Sequence, residues 1–178
     1  MTPNITYSMK LRIFLIVGIL AVLFTACAQD ERIESKTYAA MLDQLLEHSV
    51  PEISVQQLKD DTIGFLLLDA REKNEYAVSH LEEAISVGYD DFHIDSVSMD
   101  DRSAPIVVYC SVGYRSEQVA KQLIEAGYTT VYNLYGGIFE WKNQDGEVVD
   151  PESGDPTDEV HAFDRKWGVW LKEGTKIY

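Results

Sequence analysis

The stretch from Ile106 to Ser116 reads IVVYCSVGYRS and combines three kinds of local sequence. Its first four residues form a short apolar run, which is typical of a buried parallel strand. Cys110 ends that run, and a loop containing Gly113 follows. From Ser116 onward apolar residues recur on one face of a predicted helix, which Gly127 ends. The stretch therefore predicts a strand–loop–helix unit with a cysteine at the carboxyl end of the strand.

The flanking sequence alternates between strands and helices in the same way. Short apolar runs predict strands at 65–69 and 129–134. Apolar residues at helical spacing predict helices at 36–48 and after Gly136, and a Ser-x-x-Gln capping box predicts a short helix at 54–59. Strands that alternate with helices indicate an α/β domain with a mainly parallel central sheet flanked by helices.

The chain changes character over its last part, residues 150–178. The segment 150–156 is acidic and is broken by Pro and Gly, as in a surface loop. Apolar residues then recur at helical spacing, which predicts a C-terminal helical extension that docks onto the domain through this stripe. The residues of the stripe are Phe163, Trp167, Trp170 and Leu171.

The charge of the chain restricts its partners. It has 178 residues, with 15 Lys and Arg against 30 Asp and Glu, so its formal net charge is −15. Such a surface repels nucleic acid and anionic lipid heads, and neither is expected as a partner. A site for a small anion would have to be built locally, because the overall field opposes it.

The N-terminal segment differs from the rest of the chain. Lys10 and Arg12 precede an uncharged apolar run at 13–26, which is shorter than the about 20 residues of a membrane-spanning helix. A run of this kind behind basic residues is typical of a secretory signal peptide. The small residues before Cys27 resemble a bacterial lipobox, in which the cysteine is acylated and becomes the first mature residue.

These features predict an exported lipoprotein. We expect a signal peptide at 1–27 and a polar tether at 28–35, with the lipid on Cys27 as the anchor to a membrane. The domain would then lie in the bacterial cell envelope and face the periplasm. An uncleaved anchor and an ordinary signal peptide cut nearby remain as alternatives.

The number of cysteines bears on reactivity. Acylation of Cys27 would leave Cys110 without a partner in the chain. Exported proteins usually pair their cysteines, so an odd thiol indicates a reactive site or an intermolecular disulfide. The two cysteines and four histidines lack the spacing of a zinc site, and neither a metal nor a cofactor is predicted.

The position of Cys110 indicates that it acts as a nucleophile. Ligands bind at the carboxyl ends of strands in doubly wound sheets, and a tight loop there makes an anion-binding nest of backbone N–H groups. The following helix presents its positive end to the same point, Gly113 permits the backbone angles, and Arg115 adds a forked cationic donor. All of these groups stabilise a thiolate over a thiol.

The candidate site is therefore the catalytic Cys110 with the anion-binding loop that follows it. The loop residues are Ser111, Val112, Gly113, Tyr114, Arg115 and Ser116. A lone cysteine is otherwise most often a small buried apolar residue, but the flanking glycine and arginine favour the nucleophile here.

Three motifs in the sequence resemble those of the rhodanese family. Residues 69–85 (DAREKNEYAVSHLEEAI) are similar to DxRxxxEYxxGHIxGAI, with Ser79 and Glu83 where the family has glycine. Residues 110–116 match the active loop CxxGxRS, and residues 136–141 match GGxxxW. The motifs follow the family's order.

The resemblance implies a single rhodanese-like domain over residues 36–149 and a persulfide intermediate on Cys110. It further implies transfer of sulfane sulfur from a small sulfur-containing anion such as thiosulfate to a thiol or cyanide. Within the resemblance Asp69, Arg71 and His80 have structural roles, the first two as a charge-assisted pair at a strand end.

Two other classes of function remain as alternatives. Cysteine phosphatases and arsenate reductases also place a cysteine and an arginine on an anion loop, but their loop is one residue longer than the four residues between Cys110 and Arg115. Rhodanese-like folds also occur as non-catalytic binding modules. The joint presence of Cys110, Gly113 and Arg115 argues against that class.

Overall fold

A computed structural model describes residues 33, 35–60, 64–97 and 99–178. The predicted signal peptide, Cys27 and most of the tether 28–35 lie outside the described residues. Within the part of the chain that is described, no helix is long and apolar enough to cross a membrane.

Helices and short strands alternate along the described chain. The helices are α1 (Lys36–Leu45), α2 (Val55–Lys59), α3 (Lys73–Tyr76), α4 (Tyr114–Glu125) and α5 (Gly137–Asn143), with a 3₁₀ turn at Ile94–Ser96. The strands are β1 (Glu52–Ile53), β2 (Leu66–Asp69), β3 (Ile85–Ser86), β4 (Ile106–Tyr109), β5 (Val131–Leu134), β6 (Val148–Val149), β7 (Pro156–Thr157), β8 (Glu159–His161) and β9 (Thr175–Ile177).

A parallel sheet forms the centre of the domain. Its strands, as far as the chain is described, follow the order β1-β5-β4-β2-β3, and every neighbouring pair is parallel. In the register of the central pair, Leu66 lies opposite Ile106 and Asp69 opposite Tyr109. The predicted α/β class with a mainly parallel sheet is confirmed, and the carboxyl ends of β2 and β4 meet at one edge.

The side chains of β4 alternate between two apolar layers. Ile106 and Val108 pack into the layer that contains α4, whereas Val107 and Tyr109 pack into the layer that contains α1 and α5. All four side chains are fully buried. Because helices cover both faces of the sheet, the strand is a continuous apolar run instead of an alternating one.

Helix ends are set by local capping. Ser54 and Gln57 form the predicted capping box at α2. Helix α1 ends at Leu45, three residues before the predicted boundary. Helix α4 begins at Tyr114 instead of Ser116, since the residue before it already acts as its N-cap. The helix therefore starts inside the candidate loop.

The predicted C-terminal helical extension is wrong. Residues 148–178 form two small two-stranded sheets, β6 with β7 and β8 with β9, joined by turns. Within the turns Gly168 N–H donates to the Asp164 carbonyl at 2.8 Å, and Trp170 N–H donates to the Trp167 carbonyl at 3.0 Å. Successive single turns thus reproduce helical spacing without a helix, and a glycine in the middle disfavours its continuation.

The apolar stripe of this tail docks only in part. Leu171 is fully buried, and Trp167 and Trp170 are partly buried against the core. The Trp170 ring stacks on that of Tyr38 in α1, with centroids 5.2 Å apart. Phe163, by contrast, is 47% exposed, so it does not belong to the docked face.

Replacing Leu171 by alanine tests the docking of the tail. We expect Leu171→Ala to lower the free energy of unfolding by about 3 kcal/mol, because it leaves a cavity under a fully buried side chain. The matched control Val169→Ala, at a side chain that is 49% exposed, should change it by less than about 0.5 kcal/mol. Urea denaturation of the two variants measures the difference; equal values would mean that the tail does not stabilise the domain.

Candidate active site

Cys110 directly follows the last residue of β4, at the carboxyl edge of the sheet. Its side chain is 1% exposed, and the Gly113 N–H donates a hydrogen bond to Sγ at 3.2 Å. Gly113 has φ +118°, a backbone angle that favours glycine, and it is the N-cap of α4. The amino end of a 12-residue helix therefore lies next to the sulfur, where its partial positive charge favours an anion.

A buried side chain of β5 holds the turn of the loop. Asn133 donates from Nδ2 to the Gly113 carbonyl at 3.0 Å. The Ser116 hydroxyl lies 2.7 Å from Asn133 Oδ1 and 3.1 Å from the same carbonyl. Since both Asn133 and Ser116 are completely buried, these bonds fix the loop against the sheet.

The first turn of α5 holds the beginning of the loop. Ile138 N–H donates to the Cys110 carbonyl at 2.9 Å, and Phe139 N–H donates to the Ser111 carbonyl at 3.1 Å. This approach requires glycine at 137, because a Cβ there would lie 2.4 Å from the Cys110 carbonyl oxygen. The predicted GGxxxW motif thus packs backbone against backbone at the active loop.

Arg115 is engaged by a carboxylate instead of pointing freely into the site. Its Nη1 lies 2.5 Å from Glu75 Oε2 and its Nη2 lies 2.8 Å from Glu75 Oε1. Ser111 Oγ donates to Glu75 Oε1 at 3.1 Å, and Glu72 N–H donates to Oε2 at 3.0 Å. The Glu75 carboxylate, which is 2% exposed, therefore links α3 to both ends of the loop.

The pair stabilises its own ionised form. Burial opposes ionisation of Glu75, but the hydrogen bonds and charge of Arg115 outweigh it and lower the pKa of the carboxyl. Burial likewise opposes the charge of Arg115, yet its bonds to Glu75 and the nearby charges of Cys110 and Glu75 raise its pKa. Both groups are therefore charged at neutral pH, and their charges cancel.

Asp69 and Arg71 form a second, fully buried pair beside the site. Arg71 Nη2 lies 2.6 Å from Asp69 Oδ2, and it also donates to the Ser79 carbonyl at 2.7 Å. These bonds connect the end of β2 to the loop after α3. His80 stacks on Tyr76 at 3.9 Å between ring centroids, and burial lowers the pKa of its imidazole.

Glu83 lies in the same segment and occupies a position where the rhodanese motif has glycine. Its backbone has φ +60°, in the left-handed region. The turn that the motif builds with glycine is therefore kept here by a non-glycine residue.

A cavity of about 310 Å³ opens over Cys110. The lining residues are Leu45, Cys110, Ser111, Val112, Tyr114, Arg115, Phe163 and Trp167. Five of them belong to the predicted loop and its cysteine, whereas Leu45 ends α1 and two aromatic rings come from the tail.

Several residues of the site were not identified from the sequence. Glu75 belongs to the Glu-Tyr pair of the first motif, which marks it as a residue of interest. Nothing in the sequence indicates that its partner is Arg115. Asn133 lies in an apolar strand, where one buried amide is a weak signal. Helical spacing predicts that Phe163 and Trp167 lie on a docked helix face and gives no signal of their place in the cavity.

Gly137→Ala tests the contact between α5 and the loop. We expect the free energy of unfolding to fall by about 3 kcal/mol, since the new Cβ is strained at φ +58° and meets the Cys110 carbonyl. The control is Gly154→Ala, at φ +73° with open space around it, which should cost about 1 kcal/mol. Thermal or urea unfolding of both variants gives the comparison, and equal losses would contradict the close approach.

Glu75→Gln tests the ion pair. At neutral pH we expect the free energy of unfolding of Glu75→Gln to fall by about 3 kcal/mol, because Arg115 keeps a largely buried charge without its partner. Exposed Glu47 pairs with Lys121, and Glu47→Gln should cost less than about 1 kcal/mol.

The effect of Glu75→Gln should depend on pH. The pKa of Glu75 is lowered from 4.5, so its stabilisation is complete above about pH 4.5 and is lost as the pH falls through the lowered value. Urea unfolding of the wild type and Glu75→Gln should therefore converge in acid. A constant difference at all pH values would mean that the charge is not responsible.

Comparisons with known proteins agree with this architecture. The family model described as the rhodanese-like domain matches residues 52–144, just over half of the chain. Two curated relatives are both described as tRNA uridine(34) hydroxylase. The one from Photorhabdus laumondii is 34% identical over 92 residues, which are 49% of this chain and 26% of that protein. The one from Yersinia pestis is 34% identical over 100 residues, or 53% and 28%.

Solved structures show the same fold. A thiosulfate sulfurtransferase from Pseudomonas aeruginosa aligns over 74% of this chain and 26% of that chain, with TM-score 0.53 and 20% identity. A rhodanese-related protein from Thermoplasma volcanium aligns over 57% and 99%, with TM-score 0.51 and 22% identity. The chain spans only about a quarter of the length of the curated relatives. By its matched segment and its fold, the chain belongs to the rhodanese-like domain family.

Proposed function

We propose that the protein is a sulfurtransferase that carries sulfane sulfur as a persulfide on Cys110. The observation that carries the proposal is the placement of one buried thiol at a strand end, with the Gly113 N–H 3.2 Å from its sulfur and a cavity over it. A donor such as thiosulfate supplies the sulfur, and a thiol or cyanide removes it.

The first half-reaction loads the cysteine. The Cys110 thiolate attacks the outer sulfur of thiosulfate, a new S–S bond forms, and the S–S bond of thiosulfate breaks so that sulfite leaves with its electron pair. The products are sulfite and Cys110–S–S⁻, and the total charge is conserved. In the second half-reaction the acceptor attacks the outer sulfur and Cys110 leaves as a thiolate, which gives ping-pong kinetics.

Backbone dipoles are the groups that stabilise the anionic sulfur. The Gly113 N–H and the amino end of α4 are held in place before the reaction by Asn133 and the first turn of α5. Preorganised dipoles of this kind lower the energy of a developing anion without rearrangement. Arg115 adds its charge near the sulfur, but Glu75 occupies its forked donors.

The same geometry argues against a phosphatase. That chemistry needs a loop wide enough to hold a tetrahedral oxyanion and a cationic fork free to bind it. The loop has four residues between Cys110 and Arg115, and the fork of Arg115 is taken by Glu75. A non-catalytic binding module would not require a thiol at the base of the cavity.

The hydroxylation named for the curated relatives is not part of the proposal, since the match covers about a quarter of their length. The net charge of −15 also disfavours a nucleic acid partner. We further propose that the domain acts in the cell envelope, tethered by a lipid on Cys27. This part of the proposal is supported by the apolar run at 13–26 and the small residues that precede the cysteine.

Intact mass spectrometry tests the proposed reaction. The purified protein is treated with thiosulfate and desalted, and we expect a gain of one sulfur atom that cyanide removes. Cys110→Ser should gain none, because a hydroxyl cannot form the persulfide. No adduct with any sulfane donor, together with Cys110-dependent release of phosphate from aryl phosphates, would favour the phosphatase.

A further inference from the structure

Part of the wall of the active-site cavity lies outside the segment that matches the family. Leu45, Phe163 and Trp167 line the cavity and lie outside residues 52–144, the segment that matches the rhodanese-like family. Leu45 is the last residue of α1, and the backbone just after it is anchored to α4, where Glu117 accepts from Ser49 N–H at 2.7 Å. The cavity therefore has a fixed apolar wall that the family motifs do not supply.

Phe163 is placed for contact with a ligand. Its ring is 47% exposed, and its backbone has φ +63°, an angle that is unfavourable for an aromatic residue. Its N–H donates to His161 Nδ1 at 3.1 Å, which holds this conformation. An exposed ring on a strained but fixed backbone beside a reactive cysteine is the arrangement expected of a binding residue.

Side-chain charges around the sulfur cancel among the described residues. Arg115 is paired with Glu75, and Arg71 with Asp69. The Phe163 ring also lies 5.3 Å from the Arg115 guanidinium carbon, so it covers that cation. His161 is close to both pairs, and burial lowers the pKa of its imidazole, which keeps it neutral at neutral pH. An acceptor in this cavity thus meets ion pairs whose side-chain charges cancel, beside the negative charge of the persulfide, within a chain of −15.

The cavity is also larger than a simple inorganic sulfur anion requires. Its volume of about 310 Å³ lies in the range of pockets that bind small organic ligands. Thiosulfate, a sulfate ion in which one oxygen is replaced by sulfur, would leave much of the apolar wall in contact with water. A ring or a short aliphatic chain would cover that wall and be stabilised by its burial.

We infer that the acceptor of the Cys110 sulfur is a small uncharged thiol with an aromatic or aliphatic group that packs on Phe163, Trp167 and Leu45. The inference rests on the proposed function and names the substrate class of the same site. The step is Cys110–S–S⁻ + R–SH → Cys110–S⁻ + R–S–SH. The acceptor sulfur bonds to the outer sulfur, the enzyme S–S bond breaks with its electrons on Cys110, and the proton of the acceptor thiol moves to the transferred sulfur.

The test compares acceptors with the loaded enzyme. Cys110 is loaded with thiosulfate, loading is checked by intact mass, and kcat/KM is measured for phenylmethanethiol, its 4-carboxylate and 2-mercaptoethanol. We expect phenylmethanethiol to be preferred by about tenfold over each of the other two. Equal values for the three thiols in an enzyme that loads would overturn the inference and leave the proposed function intact. Failure to load with thiosulfate and with every other sulfane donor would overturn both.

Substitution of Phe163 tests whether the cavity wall causes the preference for the aromatic thiol. Phe163→Ala should reduce the ratio of kcat/KM for phenylmethanethiol over 2-mercaptoethanol by about three- to tenfold, through a higher KM for the aromatic thiol. Phe163→Leu should retain part of the ratio because it keeps an apolar side chain. The control Val169→Ala alters an exposed residue of the same tail that does not line the cavity, and its ratio should equal that of the wild type. An unchanged ratio in Phe163→Ala would contradict the assigned role of the ring.

Discussion

One buried carboxylate, that of Glu75, connects the segments that meet at the carboxyl edge of the sheet. It accepts hydrogen bonds from Arg115, from Ser111 and from the Glu72 backbone, so α3, the active loop and α4 share one ion pair. Its desolvation is compensated because each oxygen has two donors. The pair also sets the electrostatics of the site, since Glu75 cancels the charge of Arg115, which lines the cavity beside Cys110.

Because the charge of Arg115 is cancelled, backbone N–H groups are the main groups that stabilise an anion at the sulfur. The Gly113 N–H and the amino end of α4 face the sulfur, and the loop carbonyls are bound elsewhere, by Asn133 and by the first turn of α5. Such dipoles act over a short range, whereas a free arginine would attract anions from solution. The site is therefore suited to stabilising charge on sulfur that is covalently bound to Cys110 more than to capturing a charged donor.

Much of the fold could be predicted from the sequence because its signals are local. The apolar run that precedes Cys110, the capping box at Ser54 and the glycines at 136–137 each reflect backbone geometry over a few residues, and each is found in the structure. The tail was mispredicted because spacing alone does not separate one helix from successive turns. The pairing of Glu75 with Arg115 could not be predicted, since it joins residues 40 positions apart.

The site is built from two parts, the loop of the family motifs and a wall from other segments. The motifs therefore indicate its chemistry but not which ligand it binds. The motifs lie at strand ends and helix starts, where the parallel sheet dictates which backbone groups converge on Cys110. The wall comes from the end of α1 and from turns in the tail, segments that lie outside the family match. In the proposed sulfur transfer the loop carries the chemistry and the wall contacts the acceptor. In this chain the aromatic wall, together with the cancelled charges, favours an apolar acceptor.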